Sequence, residues 1–161
     1  EFLETTAASV NSALQRARAT LEEGNIAATS DELGEEERDL LGRYVAAFEA
    51  YDMDALTALI HEDATQSMPP FDLWLSGRDD IFTWWFGPGN GCRGSRVIPT
   101  VAANGSPAFG QYKPTESGDG YEPWALQVLE IENGSIVELT FFLDTETLFP
   151  RFGLPLEYEQ Q

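Results

Sequence analysis

Apolar side chains recur at three- and four-residue spacing in two separate stretches, and the chain then turns to alternation. Val10, Leu14, Ala17 and Leu21 form one stripe and predict a helix over about 5–21. Thr6 or Ser9 offers a capping hydroxyl at its start, although neither is followed by an ideal capping box. Glu22, Glu23, Gly24 and Asn25 stop that helix, and the polar, acidic stretch from Gly24 to about Gly34 reads as a flexible connection. Leu40, Leu41, Tyr44, Val45, Phe48 and Tyr51 then predict a longer amphipathic helix over 36–50. Asp52 can cap a short helix over 53–60, which His61, Glu62 and Asp63 would end. Residues 64–68 read as a short strand closed by Pro69 and Pro70. Gly77 to Asp80 opens a third helix over 79–86, dense in aromatics, and Gly87, Pro88, Gly89, Asn90 and Gly91 break it.

The second half alternates. Segments 96–103 and 108–113 flank Asn104-Gly105, and segments 121–132 and 135–144 flank Asn133-Gly134. Asn-Gly accepts the positive φ that a tight hairpin turn requires, so two hairpins are expected. Helices followed by a meander of strands predict an α+β fold, with helices laid across a curved antiparallel sheet and a pocket between them. The expected organisation is 1–23, a 24–35 linker, a 36–156 domain and a disordered 157–161 tail.

Charge changes the picture. With 28 acidic against 9 basic residues in 161, the net charge is −19, which opposes bulk nucleic-acid affinity. Arg16 and Arg18 are the only basic residues among the first 37. Taken by themselves, two arginines on an amphipathic helix do not justify DNA binding. Cys92 is the only cysteine, so no internal disulfide forms and a reducing cytoplasm suits the chain. No apolar run reaches membrane-spanning length, and no signal-peptide pattern is visible. The Asn-Gly-Ser triplets at 104 and 133 read as turns rather than glycosylation sites. A lone histidine and a lone cysteine suggest no metal site, and Gly87 to Gly94 lacks the lysine and helix of a phosphate loop; no cofactor is expected.

Residues 5–21, with Val10, Leu14, Arg16, Ala17, Arg18 and Leu21 in register, resemble the recognition helix of region 4 in extracytoplasmic-function (ECF) sigma factors. Residues 1–3 would end the preceding helix of that helix-turn-helix, and residues 4–6 would be the turn. The resemblance implies DNA contacts by Asn11, Ser12, Arg16 and Arg18. Residues 41–64, ending His-Glu-Asp-Ala, and the Leu75-x-Gly-Arg-Asp-Asp-Ile81 element are similar to SnoaL-like domains of the nuclear transport factor 2-like superfamily. Residues 142–155 resemble the tail found where such a domain follows region 4. Implied are a cone-shaped sheet packed with three helices and a C-terminal extension that modulates sigma-factor activity. Implied partners are core RNA polymerase and promoter DNA through the rest of the protein, sigma region 2 within it, and a hydrophobic small molecule.

Enzymes of the same superfamily use pocket carboxylates as acids or bases, which gives a rival reading on a hydrophobic substrate. Asp144, His61 and Asp63 are the candidates. Asp144 shares a strand face with Thr140 and Phe142, and the opposite face carries Val137, Leu139, Phe141 and Leu143; either could line a pocket. Each candidate also has a structural reading: Asp144 as a cap for 145–148, His61 at a helix end, Asp63 in a turn. Arg78 with Asp79 or Asp80 could pair in a buried site, or the aspartates could cap the third helix. Trp74, Trp84, Trp85, Phe86, Trp124 and Phe142 are expected to line the pocket, and with Phe71 most of these aromatics are expected to be buried. The apolar 151–156 segment would pack on the domain itself or on another sigma region.

Overall fold

A computed structural model describes residues 34–158. The expected 5–21 helix, with Asn11, Ser12, Arg16 and Arg18, lies outside the described residues, as do most of the linker and residues 159–161.

The first described helix, α1 (Glu35–Ala50), starts where the apolar period starts. Its first turn carries Glu35, Glu36 and Glu37, which suit the positive end of the helix dipole, and the Gly34 N–H donates to Glu37 Oε2 at 3.2 Å. Leu40, Leu41, Tyr44, Ala47 and Phe48 are its buried face. Tyr51 ends it in the left-handed region, at φ 57°. The strain of that conformation in a non-glycine residue is countered by its hydroxyl, which donates to the Trp85 carbonyl at 2.6 Å.

Asp52 caps α2 (Met53–Leu59) by accepting from the Ala55 N–H at 3.1 Å. Asp52→Ala should therefore lower stability by about 1 kcal/mol, read as a fall in melting temperature. The chain passes directly into β1 (Ile60–Ser67), so His61, Glu62 and Asp63 do not terminate a helix. They occupy the irregular part of the strand, where pairing with the last strand shifts register between Ile60 and Thr65 and leaves these three side chains exposed. A cis Pro69–Pro70 bond follows. Then come β2 (Trp74–Ser76), α3 (Arg78–Phe86) and a 3₁₀ turn over Pro88–Cys92. Arg78 makes neither of the proposed aspartate pairs. Its guanidinium donates to the Thr57 and Ile60 carbonyls at 2.9 and 3.0 Å, satisfying acceptors at the end of α2.

Four strands close the fold: β3 (Arg96–Ala103), β4 (Ser106–Pro114), β5 (Tyr121–Glu132) and β6 (Ser135–Phe142). Both Asn-Gly pairs turn with positive φ at each residue, as the hairpins require. The open, curved sheet runs in the order β2-β1-β6-β5-β4-β3. It is mixed rather than wholly antiparallel, because β1 lies parallel to β6. That pair joins segments from opposite ends of the domain and so needs no hairpin.

Helices α1, α2 and α3 cover one face and enclose the larger core, which includes Tyr44, Phe48, Leu56, Trp85, Phe109 and Leu139. A fourth helix, α4 (Thr145–Arg151), and the following segment cover the other face. There Tyr112, Leu126, Phe149 and Leu154 are buried together. Leu154 sits against Gly110, where a Cβ would come within 2.8 Å of the leucine side chain. The Tyr112 hydroxyl donates to the Pro155 carbonyl at 2.8 Å, and Tyr158 bridges back to Tyr121. The 151–156 segment thus packs on its own domain, and the chain stays on the sheet to Tyr158. No described helix is long and apolar enough to cross a membrane.

Candidate functional site

Between α3, the 3₁₀ turn and the inner sheet face lies an apolar cleft of about 370 Å³. Met68, Phe71, Leu73, Trp84, Trp124 and Leu143 form most of its wall, with Cys92 and Lys113 also lining it. A narrow inner chamber of about 20 Å³ continues past Cys92 to Tyr51, Trp85, Gln111 and Phe141. That space suits one water-sized group.

Local backbone features build this wall. The pairing of β4 with β5 shifts between Gln111 and Tyr112, opposite Ala125 and Pro123, so the extra residue Trp124 is turned toward the cleft. Gly89 in the 3₁₀ turn presses on the Trp84 ring so closely that a Cβ there would lie 2.3 Å from Cζ3. Glycine is therefore required for that indole to stay in place. On β6, the face bearing Leu139 and Phe141 points to the larger core and Leu143 reaches the cleft, whereas Phe142 packs with the opposite cluster. A second shift, between Glu130 and Ile131, puts Ile136 rather than Val137 inward.

Three aromatics expected to be buried are exposed. Trp74 is 66% exposed on the edge strand β2, which has a partner on one side only. Phe86 is 57% exposed at the end of α3, its ring edge-on to Tyr51. Phe71 is 66% exposed at the cleft mouth. Of the six pocket candidates, Trp84, Trp85 and Trp124 meet around the cleft and its inner chamber; Trp74, Phe86 and Phe142 lie elsewhere.

The acid–base candidates are dispersed. Asp144 caps α4, accepting from the Thr147 N–H at 3.3 Å. His61 and Asp63 are exposed on β1, with the Asp63 N–H donating to His61 Nδ1 at 3.1 Å. Neither the cleft nor its inner chamber is lined by any carboxylate or imidazole.

What the interior holds instead is a chain of neutral hydrogen bonds. The Tyr44 hydroxyl donates to Gln127 Oε1 at 3.0 Å, Gln127 Nε2 to Gln111 Oε1 at 2.9 Å, and Gln111 Nε2 to Ser95 Oγ at 3.0 Å. Ser95 Oγ passes the direction on to the Cys92 carbonyl at 2.6 Å. Gln66 accepts from the Trp85 indole at 2.7 Å, and its own Nε2 has no partner. Sequence reasoning passed over these glutamines. The signal was polar residues at inward positions of otherwise alternating strands, at 66, 111 and 127.

Titratable groups near the cleft are held neutral or paired. Burial pushes the Cys92 thiol up to about 11, with Lys113 and Gln111 pulling it back. Burial also raises the phenols of Tyr44 and Tyr51. The Lys113 ammonium is 2.8 Å from Glu122 and lies over the Trp124 ring, 4.4 Å from its centroid. Among the described residues no cluster of three metal-ligating side chains occurs.

Residues 41–139 match the SnoaL-like domain family. The chain is also similar to the ECF RNA polymerase sigma factor SigG of Mycobacterium tuberculosis (strain ATCC 25618 / H37Rv), with 40% identity over 94% of this chain. It spans 41% of the length of that relative. Among solved structures, the Mycobacterium tuberculosis extracytoplasmic function sigma factor SigJ is 20% identical with a TM-score of 0.52, covering 96% of this chain and 54% of that one. An NTF-2 like protein of unknown function from Burkholderia xenovorans LB400 is 21% identical with a TM-score of 0.55, over 68% of this chain and 83% of that one. These two likenesses speak to the fold.

Proposed function

The chain belongs to the SnoaL-like domain family, and from that premise we propose that it is the C-terminal regulatory portion of an ECF sigma factor. The domain would modulate promoter recognition through contacts with other sigma regions, in a manner responsive to occupation of its cleft. The observation that carries this reading is the extent of the SigG similarity. At 94% of this chain it takes in most of the residues before 41 as well as the domain itself. Those residues include Arg16 and Arg18, for which the resemblance to sigma region 4 implies DNA contact.

The rival, an acid–base enzyme, draws no support from the cleft. A general acid or base must reach the reacting atom within hydrogen-bond distance, and no carboxylate or imidazole lines the space. A buried amide chain orients groups but exchanges no protons near neutral pH.

Promoter-specific transcription by core polymerase tests the proposal, comparing the full-length sigma factor with one ended after Glu23 of this chain. Truncation is expected to change initiation at least about fivefold, the lower end of ordinary coupling between sites. Equal transcription by the two forms would overturn the regulatory reading.

A further inference from the structure

We infer that the cleft binds a neutral, apolar molecule of one or two rings carrying a single small hydrogen-bonding tip, a hydroxyl, which donates to Gln111. The inference deepens the reading above and rests on it for the regulatory consequence, while the binding itself is measured without transcription.

Size comes first. About 370 Å³ stands at the lower end of small-molecule pockets, which run from roughly 300 to 1,000 Å³. The walls are the side chains of Met68, Leu73, Trp84, Trp124 and Leu143, so the body of the ligand is apolar.

Charge is decided by what the walls lack. A buried ion needs a partner, and an anion would have only Lys113. That ammonium already has Glu122 at 2.8 Å and the Trp124 face beneath it. A cation would meet the same ammonium, and the Trp124 face it would want is taken. The Cys92 thiol stays protonated and offers no charge. A neutral ligand meets none of these penalties.

The tip follows from the inner chamber. Its volume of about 20 Å³ admits one water-sized group beside Gln111. Within the amide chain, Gln111 uses one lone pair of Oε1 toward Gln127 and one N–H toward Ser95. One acceptor site on Oε1 remains, while the second N–H is turned to the Cys92 thiol. Because Gln127 and Ser95 fix the amide plane from both ends, that acceptor is pre-oriented, which limits the ordering cost on binding.

The test uses the 161-residue chain, labelled with ¹⁵N and followed through the indole N–H resonances of Trp84 and Trp124. Four probes share one ring system: 2-naphthol, naphthalene, 2-naphthoate and 2-naphthylmethylammonium. 2-Naphthol is expected to shift both indoles and to bind about tenfold more tightly than each of the others, a net difference of one well-made hydrogen bond or one uncompensated charge. Gln111→Leu should bring 2-naphthol down to the affinity of naphthalene, and Leu143→Arg, a change in the cleft wall away from the amide chain, should abolish binding of both. Tighter binding of either charged probe would overturn the inference. So would equal binding of 2-naphthol and naphthalene by the unaltered chain, a comparison that stands even if Gln111→Leu fails to fold. Failure of all four probes to shift the indoles overturns it as well. Transcription separates the two readings: binding as expected with no effect of 2-naphthol on the full-length factor removes ligand control and leaves the ligand class standing.

Discussion

A Gln127→Glu variant is expected to lose roughly 4–5 kcal/mol of stability at pH 8 and to regain most of it near pH 4, since full burial shifts a carboxyl by about 3–5 units, each unit is about 1.4 kcal/mol, and pH 8 stands only about 3.7 units above the unfolded value. Gln127 is fully buried, accepts from Tyr44 and donates to the Gln111 carbonyl oxygen. A protonated glutamic acid reproduces both bonds, because its O–H replaces the amide N–H. The ionised form sets a carboxylate oxygen against the Gln111 oxygen in a dry interior, and both effects raise the folded-state pKa above that of the unfolded chain. The folded state then binds more protons between the two values, so stability falls as pH rises through that window and is fully present below it. The loss approaches the lower end of the stability of an ordinary domain, about 5–15 kcal/mol, so the variant should be severely destabilised at pH 8. Urea denaturation of both proteins at pH 4, 6 and 8 checks this. A deficit that does not change with pH would mean that water reaches position 127.

The second large effect is expected on the opposite face. Leu154→Ala should cost about 2–5 kcal/mol, because Leu154 is buried between Gly110 and the Tyr112–Phe149 cluster, where the backbone cannot close the hole. Ending the chain after Phe152 also removes the Pro155 acceptor of Tyr112 and the Tyr158 ring that packs on Tyr112 and Tyr121. That truncation should bring the loss to roughly 4–7 kcal/mol. Gly110→Ala gives a sharper check. Alone it forces a methyl to 2.8 Å from Leu154 and should destabilise by about 1–3 kcal/mol. In the Leu154→Ala background that clash is gone, so thermal melts of the double-mutant cycle should show a coupling of about 1–2 kcal/mol. Simple additivity would deny the close approach.

The α+β class, α1, α2 and both hairpins were legible in the sequence because each rests on short-range chemistry: an apolar period, an Asp cap, an Asn-Gly turn. What escaped was set by distant contacts. The 60–63 segment reads as the end of a helix until β6 arrives as its parallel partner and draws Ile60 into the sheet. Trp124 was expected in the pocket and lies there, but the backbone device that puts it there, the shift against Gln111 and Tyr112, leaves no mark in the sequence. Trp74 and Phe86 show why aromatic content alone does not locate a cleft. Trp74 lies on the edge strand β2, and Phe86 is the last residue of α3, turned away from the core that the rest of that helix covers. Hydrophobic alternation also hides the amide chain, since a glutamine at an inward position looks like noise until Gln111 and Gln127 are seen to satisfy each other.

The parallel contact between β1 and β6 has a consequence in time. Ser67 and Thr140, whose hydroxyls meet at 3.3 Å, stand 73 residues apart in the chain. At a synthesis rate of about 5–20 residues per second, β1 waits roughly 4–15 s for the strand that will lie beside it. Until then the apolar faces of α1 and α2 have only part of their sheet to cover, so the domain is expected to complete its fold late, as its final strand clears the ribosome. Any segment upstream of it has emerged already and has those seconds to meet its own partners, before this domain is in a condition to touch it.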